Sequence, residues 1–127
     1  MPAFVLLEHS VRRADHAPPD VHWDLLLDAP EWERLPTWRL ARNPLVSAGD
    51  IPAERIKDHR RLYLDFEGEV SDGRGLVRRI ERGPATIERL TGERLAVVLE
   101  GAALRGRFET VRDANGALIW RHRGDAP

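Results

Sequence analysis

Short apolar or alternating segments recur along the whole chain, and no segment follows the 3.6-residue period of a long amphipathic helix. Each segment has the length of a β-strand, and turn-forming residues separate it from the next. The segments cover residues 4–8, 21–27, 37–41, 62–66, 75–80, 85–90, 95–99, 104–111 and 118–120. Closely spaced short strands are typical of an antiparallel sheet that closes on itself. We therefore predict an all-β fold, a small antiparallel β-barrel or closed sandwich with short helical turns.

Prolines, glycines and short polar residues mark the connections between these segments. Residues 10–20 include two consecutive prolines and are predicted to form a loop that brings the second strand beside the first. Asp50 is predicted to cap a short helical turn over residues 51–56, where the missing N–H of Pro52 costs nothing. Further turns are expected at 83–84 and, as a hairpin loop, at 113–116.

The segment 21–27 carries the most specific chemistry of the chain. Because alternate side chains of a strand share a face, His22, Asp24 and Leu26 lie together and the opposite face is apolar. His22 and Asp24 are about 7 Å apart along the strand and can reach one cation. His9, at the end of the first segment, can supply a third ligand. A His-x-Asp pair is more often hydrogen-bonded or solvent-facing, so that interpretation stays open.

Length and composition are those of an ordinary globular protein. The 127 residues are 42% hydrophobic and 32% charged, so we expect one domain, 1–127, around a single core. No apolar run approaches the roughly 18 residues of a membrane span, and the first residues lack the basic region of a secretory signal. The absence of cysteine excludes disulfides and is compatible with a reducing compartment. We expect a cytoplasmic protein without membrane contact.

The charge balance restricts how the chain can bind a polyanion. A formal net charge of −1 argues against broad, charge-driven binding of nucleic acid, so such contacts require a local basic cluster. Lys57 is the only lysine, and the other basic residues are arginines. The planar guanidinium suits bidentate phosphate contacts, although genomic base composition explains the same bias equally well.

Several motifs follow one another in an order that resembles a known family. They are the run 4–9, the run 22–27, Trp38 with Arg42 and Pro44, Asp58-His59 with Tyr63, the run 66–68, and the late segments 104–108 and 118–120. Spread over essentially the whole chain, these motifs resemble the 3′-phosphoesterase module of bacterial DNA ligase D, which also occurs as a small stand-alone protein. The resemblance implies a small β-barrel hydrolase that belongs to DNA repair by non-homologous end joining.

This resemblance also implies an activity. Members of the family use a divalent metal, usually manganese, to trim the 3′ ends of DNA or of a DNA strand that ends in ribonucleotides. They remove a terminal ribonucleoside and then the remaining 3′-phosphate, which leaves a 3′-hydroxyl for a polymerase or ligase. The expected partners are therefore DNA or DNA–RNA 3′ ends, together with a DNA ligase or polymerase of end joining.

Residue by residue, the resemblance implies a site for this chain. His9, His22 and Asp24 match the metal ligands of the family. His59, Tyr63 and Arg42 match family positions at the phosphate, and Arg60, which adjoins His59, is expected there as a replacement for a missing guanidinium. Two imidazoles and one carboxylate suit Mn²⁺, Zn²⁺ or Fe²⁺, whereas Mg²⁺ usually takes more oxygen ligands. His59 is expected to protonate the leaving group or stabilise the transition state, and Tyr63 to orient His59 or bind the phosphate.

One position departs from the family pattern. Leu26 stands where the family has an arginine that grips the phosphate, and losing such a contact costs roughly 1.5–3 kcal/mol. The replacement guanidinium is expected from Arg42 first, with Arg60, Arg61 and Arg39 as the alternatives. The turn 71–75 is shorter and the loop between the first two strands longer than in the family. These differences leave the substrate open.

Two further functions remain open at this point. The chain is either an active phosphoesterase or a catalytically weakened relative that binds nucleic-acid 3′ ends or docks on a ligase or polymerase. A third interpretation is a phosphoesterase that acts on a small phosphate ester or on RNA. Turnover of a 3′-phosphorylated strand distinguishes the first function from the second, and a substrate panel distinguishes it from the third.

Overall fold

The computed structural model of the chain describes residues 1–12, 18–71 and 73–126. Its strands are β1 (Ala3–Val11), β2 (Asp20–Asp28), β3 (Arg34–Leu40), β4 (Ile51–Arg60), β5 (Gly68–Glu69), β6 (Leu76–Thr91), β7 (Arg94–Glu100), β8 (Arg105–Arg112) and β9 (Leu118–Gly124). A 3₁₀ turn, Arg61–Leu64, follows β4. Of the predicted loop 10–20, residues 13–17 lie outside the described part of the chain.

The strands form one antiparallel sheet that closes in a ring. Each strand of the order β1-β2-β3-β4-β9-β8-β7-β6 is hydrogen-bonded to the next, and β6 pairs back with β1. The two-residue strand β5 lies beside β6. The all-β, barrel-like architecture predicted from the spacing of short strands is therefore confirmed.

Alternation along the strands separates two apolar clusters. The larger one takes side chains from every strand of the ring, so it fills the interior, and Trp38, Leu6 and Leu25 are fully buried in it. The smaller one lies on the opposite face of β1, β2, β3 and β6. Its buried members are Val5, Leu7, Leu26, Leu35 and Val77.

The 3₁₀ turn and the chain that follows it cover this outer cluster. Tyr63, Leu64 and Phe66 pack against it. An ion pair between Arg61 Nη2 and Asp28 Oδ1, 2.6 Å apart, ties the 3₁₀ turn to the end of β2. The outer cluster is thereby covered at this end of the sheet, and the alternation of β2 places His22 and Asp24 on the same face as Leu26, next to the cluster.

Residues 51–56 are a strand, so the helical turn predicted there is wrong. The segment is extended because it pairs with β3 and buries Ile51 in the interior cluster. The Ala41 amide donates to the Pro52 carbonyl oxygen at 3.0 Å. Pro52 only accepts in this bond, so its missing N–H does not prevent the pairing. Asp50 does not cap a helix; its carboxylate pairs with Arg121 at 2.9 Å.

The predicted turn at 83–84 is also wrong, since β6 runs through it without interruption. Near this point β6 changes partner: Pro84 lies opposite Ala3 of β1, and Ala85 lies opposite Leu99 of β7. A proline has no N–H to donate to a neighbouring strand, so it fits where β6 changes its pairing partner. Gly83 is required by close approach, because a Cβ there would lie 2.8 Å from the Glu100 carbonyl oxygen.

Two other segments complete the comparison with the predicted elements. The run 62–66 lies in and after the 3₁₀ turn instead of forming a strand, and its apolar side chains cover the outer cluster. The hairpin loop predicted at 113–116 is confirmed between β8 and β9. There, Asp113 Oδ1 accepts hydrogen bonds from the Asn115 and Ala117 amides, each at 2.9 Å. Among the described residues, no helix has the length and apolar character needed to cross a membrane.

Candidate functional site

The first two strands bring two histidines face to face. His9 and His22 are register partners in the β1–β2 ladder, and alternation puts Asp24 on the same outer face as His22. Leu26 is on that face too, but it is fully buried in the outer cluster. The polar half of this face is therefore one compact group, bounded on one side by apolar packing.

The three side chains predicted as metal ligands lie within reach of one ion. His9 Nδ1 is 2.9 Å from His22 Nε2, and His22 Nε2 is 3.9 Å from Asp24 Oδ2. One ligand atom from each residue lies within 4.8 Å of the other two. Metal–ligand bonds of about 2.0–2.2 Å place neighbouring ligand atoms roughly 3–3.5 Å apart, so small side-chain shifts suffice to form such a set. The group could hold a divalent metal.

A backbone carbonyl orients the His9 ring. His9 Nε2 donates to the Arg74 carbonyl oxygen at 2.6 Å. A carbonyl only accepts, so the proton is on Nε2, and in the neutral ring the lone pair is on Nδ1, the atom that faces His22. Histidine ligands in metal sites commonly donate their other ring N–H to a carbonyl or carboxylate in this way.

Close approach of a turn makes this orientation possible. Gly75 has φ +105°, and a Cβ at this position would collide with the Ser10 carbonyl oxygen and lie 3.0 Å from His9 Nε2. Only glycine lets the backbone of the turn come this near to β1. The Arg74 side chain is held in the same turn by hydrogen bonds to Ser71 O and Oγ.

Asp24 is the most buried polar residue of the site, with 2% of its surface exposed. Its register partner on β3 is Arg39, which donates from Nε to Oδ1 at 3.1 Å and from Nη2 to Oδ2 at 3.4 Å. Burial raises the pKa of the Asp24 carboxyl, but the neighbouring His59 and Arg39 outweigh it and lower the pKa below its usual 3.8. Asp24 is therefore an anion at neutral pH.

His22 is neutral at the same pH. Burial is the main cause that lowers its pKa from 6.5 to about 4, and the positive charge of Arg39 adds to it, while Asp24 opposes both. A neutral imidazole can bind a metal without a net loss of protons, once the ring takes the tautomer that leaves the lone pair on the ligating nitrogen. The site thus combines an ionised carboxylate with an uncharged imidazole, which is the protonation state that metal binding requires.

His59 approaches the same carboxylate from β4. Its Nε2 is 3.7 Å from Asp24 Oδ2, and its Nδ1 donates to the Lys57 carbonyl oxygen at 3.1 Å. The Tyr63 ring packs against His59 edge to face, with centroids 5.5 Å apart. His59 and Tyr63 are thus in contact, and the 3₁₀ turn after β4 positions Tyr63 for it.

A cavity of about 530 Å³ opens beside these residues. His9, Asp24, His59 and Tyr63 contribute to its wall, and Leu7, Val70 and Val77 form an apolar part. Its basic lining residues are Arg34, Lys57, Arg60 and Arg74. These residues form a local basic cluster at the cavity. A chain with a net charge of −1 needs such a cluster to bind a polyanion.

Arg42 is not brought to this cavity. It follows the end of β3 that pairs with Ala53, whereas His59 lies opposite Leu35 near the other end of β3. Six residues of extended chain between Ala53 and His59 correspond to about 20 Å. Arg42 donates to the Asp50 carbonyl oxygen instead.

The other three arginines predicted to contact the phosphate lie in different places relative to the cavity. Arg60 lines the cavity, with its guanidinium 6.0 Å from the centre of the Tyr63 ring. Arg61 is bound to Asp28 and to the Trp32 carbonyl oxygen. Arg39 is bound to Asp24. Of the four predicted donors, Arg39 is therefore the one that contacts a proposed ligand, although the sequence placed it after Arg42.

Sequence reasoning missed three of the basic lining residues, Arg34, Lys57 and Arg74. Lys57 had a usable signal, because it lies two residues before His59 and shares its face of β4. Arg34 and Arg74 had none, since their proximity to His59 depends on a β-bulge near Pro36 and on the turn before β6.

Comparison with known proteins identifies no family for this chain. No protein-family model matches the chain, and no curated protein is significantly similar to it. The resemblance to the DNA ligase D module therefore stays a hypothesis that depends on the motifs and on the geometry described above.

Proposed function

We propose that the chain is a metal-dependent phosphoesterase that processes the 3′ ends of nucleic-acid strands. One observation carries the proposal: His9, His22 and Asp24 offer their ligand atoms within 4.8 Å of one another, and His9 and Asp24 line a cavity with basic residues. A cation and a phosphate that meet in such a place have complementary charges, and His59 adds a group able to transfer a proton. The order of the motifs, which resembles the DNA ligase D 3′-phosphoesterase module, supports the same function.

The donor set fits a transition metal, with Mn²⁺ first and Zn²⁺ as the alternative. Two imidazole nitrogens and one carboxylate oxygen are the ligands that these ions accept, and three protein ligands leave positions for substrate and water. When bound, the ion would supply Lewis-acid polarisation of a phosphoryl oxygen, an effect worth several kcal/mol. His9 Nδ1, His22 Nε2 and Asp24 Oδ2 would hold it.

The side chains around the ligands each have a task in this proposal. Arg60 and the other basic lining residues neutralise the charge of the bound phosphate. For a 3′-phosphate, water provides the oxygen that bonds to phosphorus and gives one proton to the solvent, and the bond from phosphorus to the 3′-oxygen breaks. For a terminal ribonucleoside, the bond from phosphorus to the 5′-oxygen of that ribonucleoside breaks instead. In both reactions His59, in its imidazolium form, gives the Nε2 proton to the departing oxygen. Tyr63 packs against His59 and keeps its ring in position for that transfer.

The choice of a strand end as substrate depends on the resemblance together with the cavity. About 530 Å³ is enough for a nucleotide-sized group, and the opening is basic although the chain as a whole is slightly acidic. We propose DNA or DNA–RNA 3′ ends as the substrate, a ligase or polymerase of end joining as the partner, and the cytoplasm as the location.

The test is a 3′-end conversion assay with the purified chain and Mn²⁺. One primer ends in a 3′-phosphate and another in a single ribonucleotide, and the product is a 3′-hydroxyl that a polymerase can extend. We expect conversion of both primers, with loss of conversion in His22→Ala and retention in His122→Ala, which changes an exposed histidine outside the cavity. A wild-type protein that carries metal and converts neither primer, over a range of divalent ions, would contradict the proposal.

A non-catalytic relative is the second candidate, and one observation favours it. Leu26 is fully buried where the family has an arginine, and Arg39, which contacts the proposed ligands, is already hydrogen-bonded to Asp24. A site without a free guanidinium at that position binds phosphate with less transition-state stabilisation. Tight binding of 3′-phosphorylated primers without product would identify the chain as an end-binding protein.

A further inference from the structure

Two of the arginines that line the cavity face each other across neighbouring strands. Arg34 and Arg60 are register partners in the β3–β4 ladder, and both line the cavity that contains His59. Directly opposed like charges destabilise a sheet. Such a pair is therefore expected where an anion is bound between the two side chains.

No carboxylate provides that anion within the described chain. Among residues 1–12, 18–71 and 73–126, no acidic side chain lies within 4.0 Å of the guanidinium of Arg34 or of Arg60. The two acidic lining residues have other partners: Asp58 pairs with Arg55 at 3.4 Å, and Asp24 pairs with Arg39 at 3.1 Å. Elsewhere on the sheet, comparable arginines have acidic partners, as in Arg107–Glu88 and Arg121–Asp50.

The pair is also distinct from the groups that contact the metal ligands. Asp24 is approached by Arg39 and His59, and the Arg34–Arg60 pair makes no described bond to either imidazole of the proposed metal set. The cavity therefore has two groups that can attract a phosphate: the proposed metal ligands, once a divalent ion is bound to them, and the paired arginines. A ligand with two phosphates can use both groups at once.

From this arrangement we infer that Arg34 and Arg60 form a second phosphate subsite, which binds the internucleotide phosphate next to the 3′ end. The inference rests on the proposed function, because the metal-side wall is taken as the position of the terminal phosphate. Two guanidinium groups can share one phosphate through charge-assisted hydrogen bonds. The chain then selects strand ends and discriminates against free mononucleotides, which carry no second phosphate.

The test compares two ligands that differ by this one phosphate. A 3′-phosphorylated dinucleotide and the matching nucleoside 3′-monophosphate are titrated into the metal-free protein, and their hydrolysis is measured with Mn²⁺. We expect the dinucleotide to bind more tightly, and Arg34→Ala or Arg60→Ala to remove about 10- to 150-fold of that preference, the range for loss of a charged hydrogen bond. Arg89→Ala removes an exposed arginine of β6 outside the cavity and should leave the preference unchanged.

A second readout separates binding from simple structural support. Without ligand, Arg34→Ala should raise the melting temperature slightly, because it relieves the like-charge pair. Pyrophosphate should raise the melting temperature of the wild type more than that of Arg34→Ala. A lower melting temperature in the ligand-free variant would contradict the subsite.

The results distinguish this inference from the proposed function. If both ligands bind and react equally and the arginine variants match Arg89→Ala, the subsite is excluded while the phosphoesterase stands. If the arginine-dependent preference is present in binding but neither ligand is hydrolysed, the subsite stands and the enzymatic proposal fails.

Discussion

Arg39 lies directly across the β2–β3 ladder from Asp24 and donates hydrogen bonds to both of its carboxylate oxygens, at 3.1 and 3.4 Å. This pair connects the buried carboxylate to a side chain that is about one-third exposed. Asp24 is thereby held ionised with Oδ2 near His22 and His59. We interpret Arg39 as the residue that positions the proposed metal ligand Asp24.

Replacing Arg39 should weaken metal binding more than it changes the fold. In Arg39→Ala, Asp24 loses its orienting partner, and we expect Mn²⁺ affinity to fall by about 10- to 100-fold, the range for partners of metal ligands. Arg39→Lys should restore only part of this, because an ammonium cannot make the same two-bond contact. Calorimetric titration with Mn²⁺ measures the change.

The matched control is Arg121→Ala. Arg121 makes the same two-bond contact with Asp50, at 3.0 and 2.9 Å, but outside the site. Equal loss of Mn²⁺ affinity in both variants would show that Arg39 has no particular role at the metal.

Introducing the family arginine at position 26 should not improve this protein. Leu26 is fully buried among Val5, Leu7 and Leu35, so Leu26→Arg would place a charge in the outer cluster. We expect a loss of roughly 3 kcal/mol or more in the free energy of unfolding, as for other buried unpaired charges. Urea denaturation measures it, with Leu26→Met as the volume-conserving control. A stable Leu26→Arg protein with higher turnover would contradict the packing described for this position.

The metal-free protein should lose stability as the pH falls from about 6.5 to about 4. In this interval the unfolded chain protonates His22, whose ordinary pKa is 6.5, whereas the folded chain does not, because its pKa is about 4. The unfolded state then binds more protons, so the free energy of unfolding decreases toward low pH and is greatest above pH 6.5. Urea titrations in the presence of a chelator between pH 4.5 and 7 measure the slope.

Two variants test whether His22 causes this pH dependence of the free energy of unfolding. His22→Asn should reduce that slope by up to one proton, whereas His122→Asn, at an exposed position, should not. The lowered pKa of Asp24 acts in the same direction, but only as the pH falls below about 3.8. An unchanged slope in His22→Asn would contradict burial of a neutral His22.

Gly75→Ala should impair both the turn and the His9 ligand. The new methyl group would collide with the Ser10 carbonyl oxygen and displace the Arg74 carbonyl from His9 Nε2. Gly73→Ala is the control, since it has φ +68° in the same turn but nothing within 4 Å of its Cβ. We expect the Mn²⁺ affinity of Gly75→Ala to be more than tenfold below that of Gly73→Ala, measured by titration. Equal affinities would show that the turn does not orient His9.

Alternation within the strands predicted most of what lies near the metal ligands. The period of two put His22, Asp24 and Leu26 on one face, and a return loop placed His9 beside His22, as the ladder has it. These features are local, or depend on one hairpin connection, so the sequence contains them.

Features that depend on distant pairing could not be predicted. The Asp24–Arg39 pair requires the register of β2 against β3, and the facing of Arg34 and Arg60 requires the bulge near Pro36. The uninterrupted course of β6 through Gly83 and Pro84 depends on a change of partner from β1 to β7. Local turn chemistry indicated a break there, and long-range pairing overrode it.

The most direct test of the central proposal locates the metal itself. Crystals soaked in Mn²⁺ are measured at wavelengths on either side of the manganese absorption edge, so that an anomalous difference map identifies the ion. We expect one peak within bonding distance of His9 Nδ1, His22 Nε2 and Asp24 Oδ2, and no such peak in crystals of Asp24→Asn. A fully soaked wild-type crystal with no manganese between these three side chains would contradict the proposed metal centre and the phosphoesterase built on it.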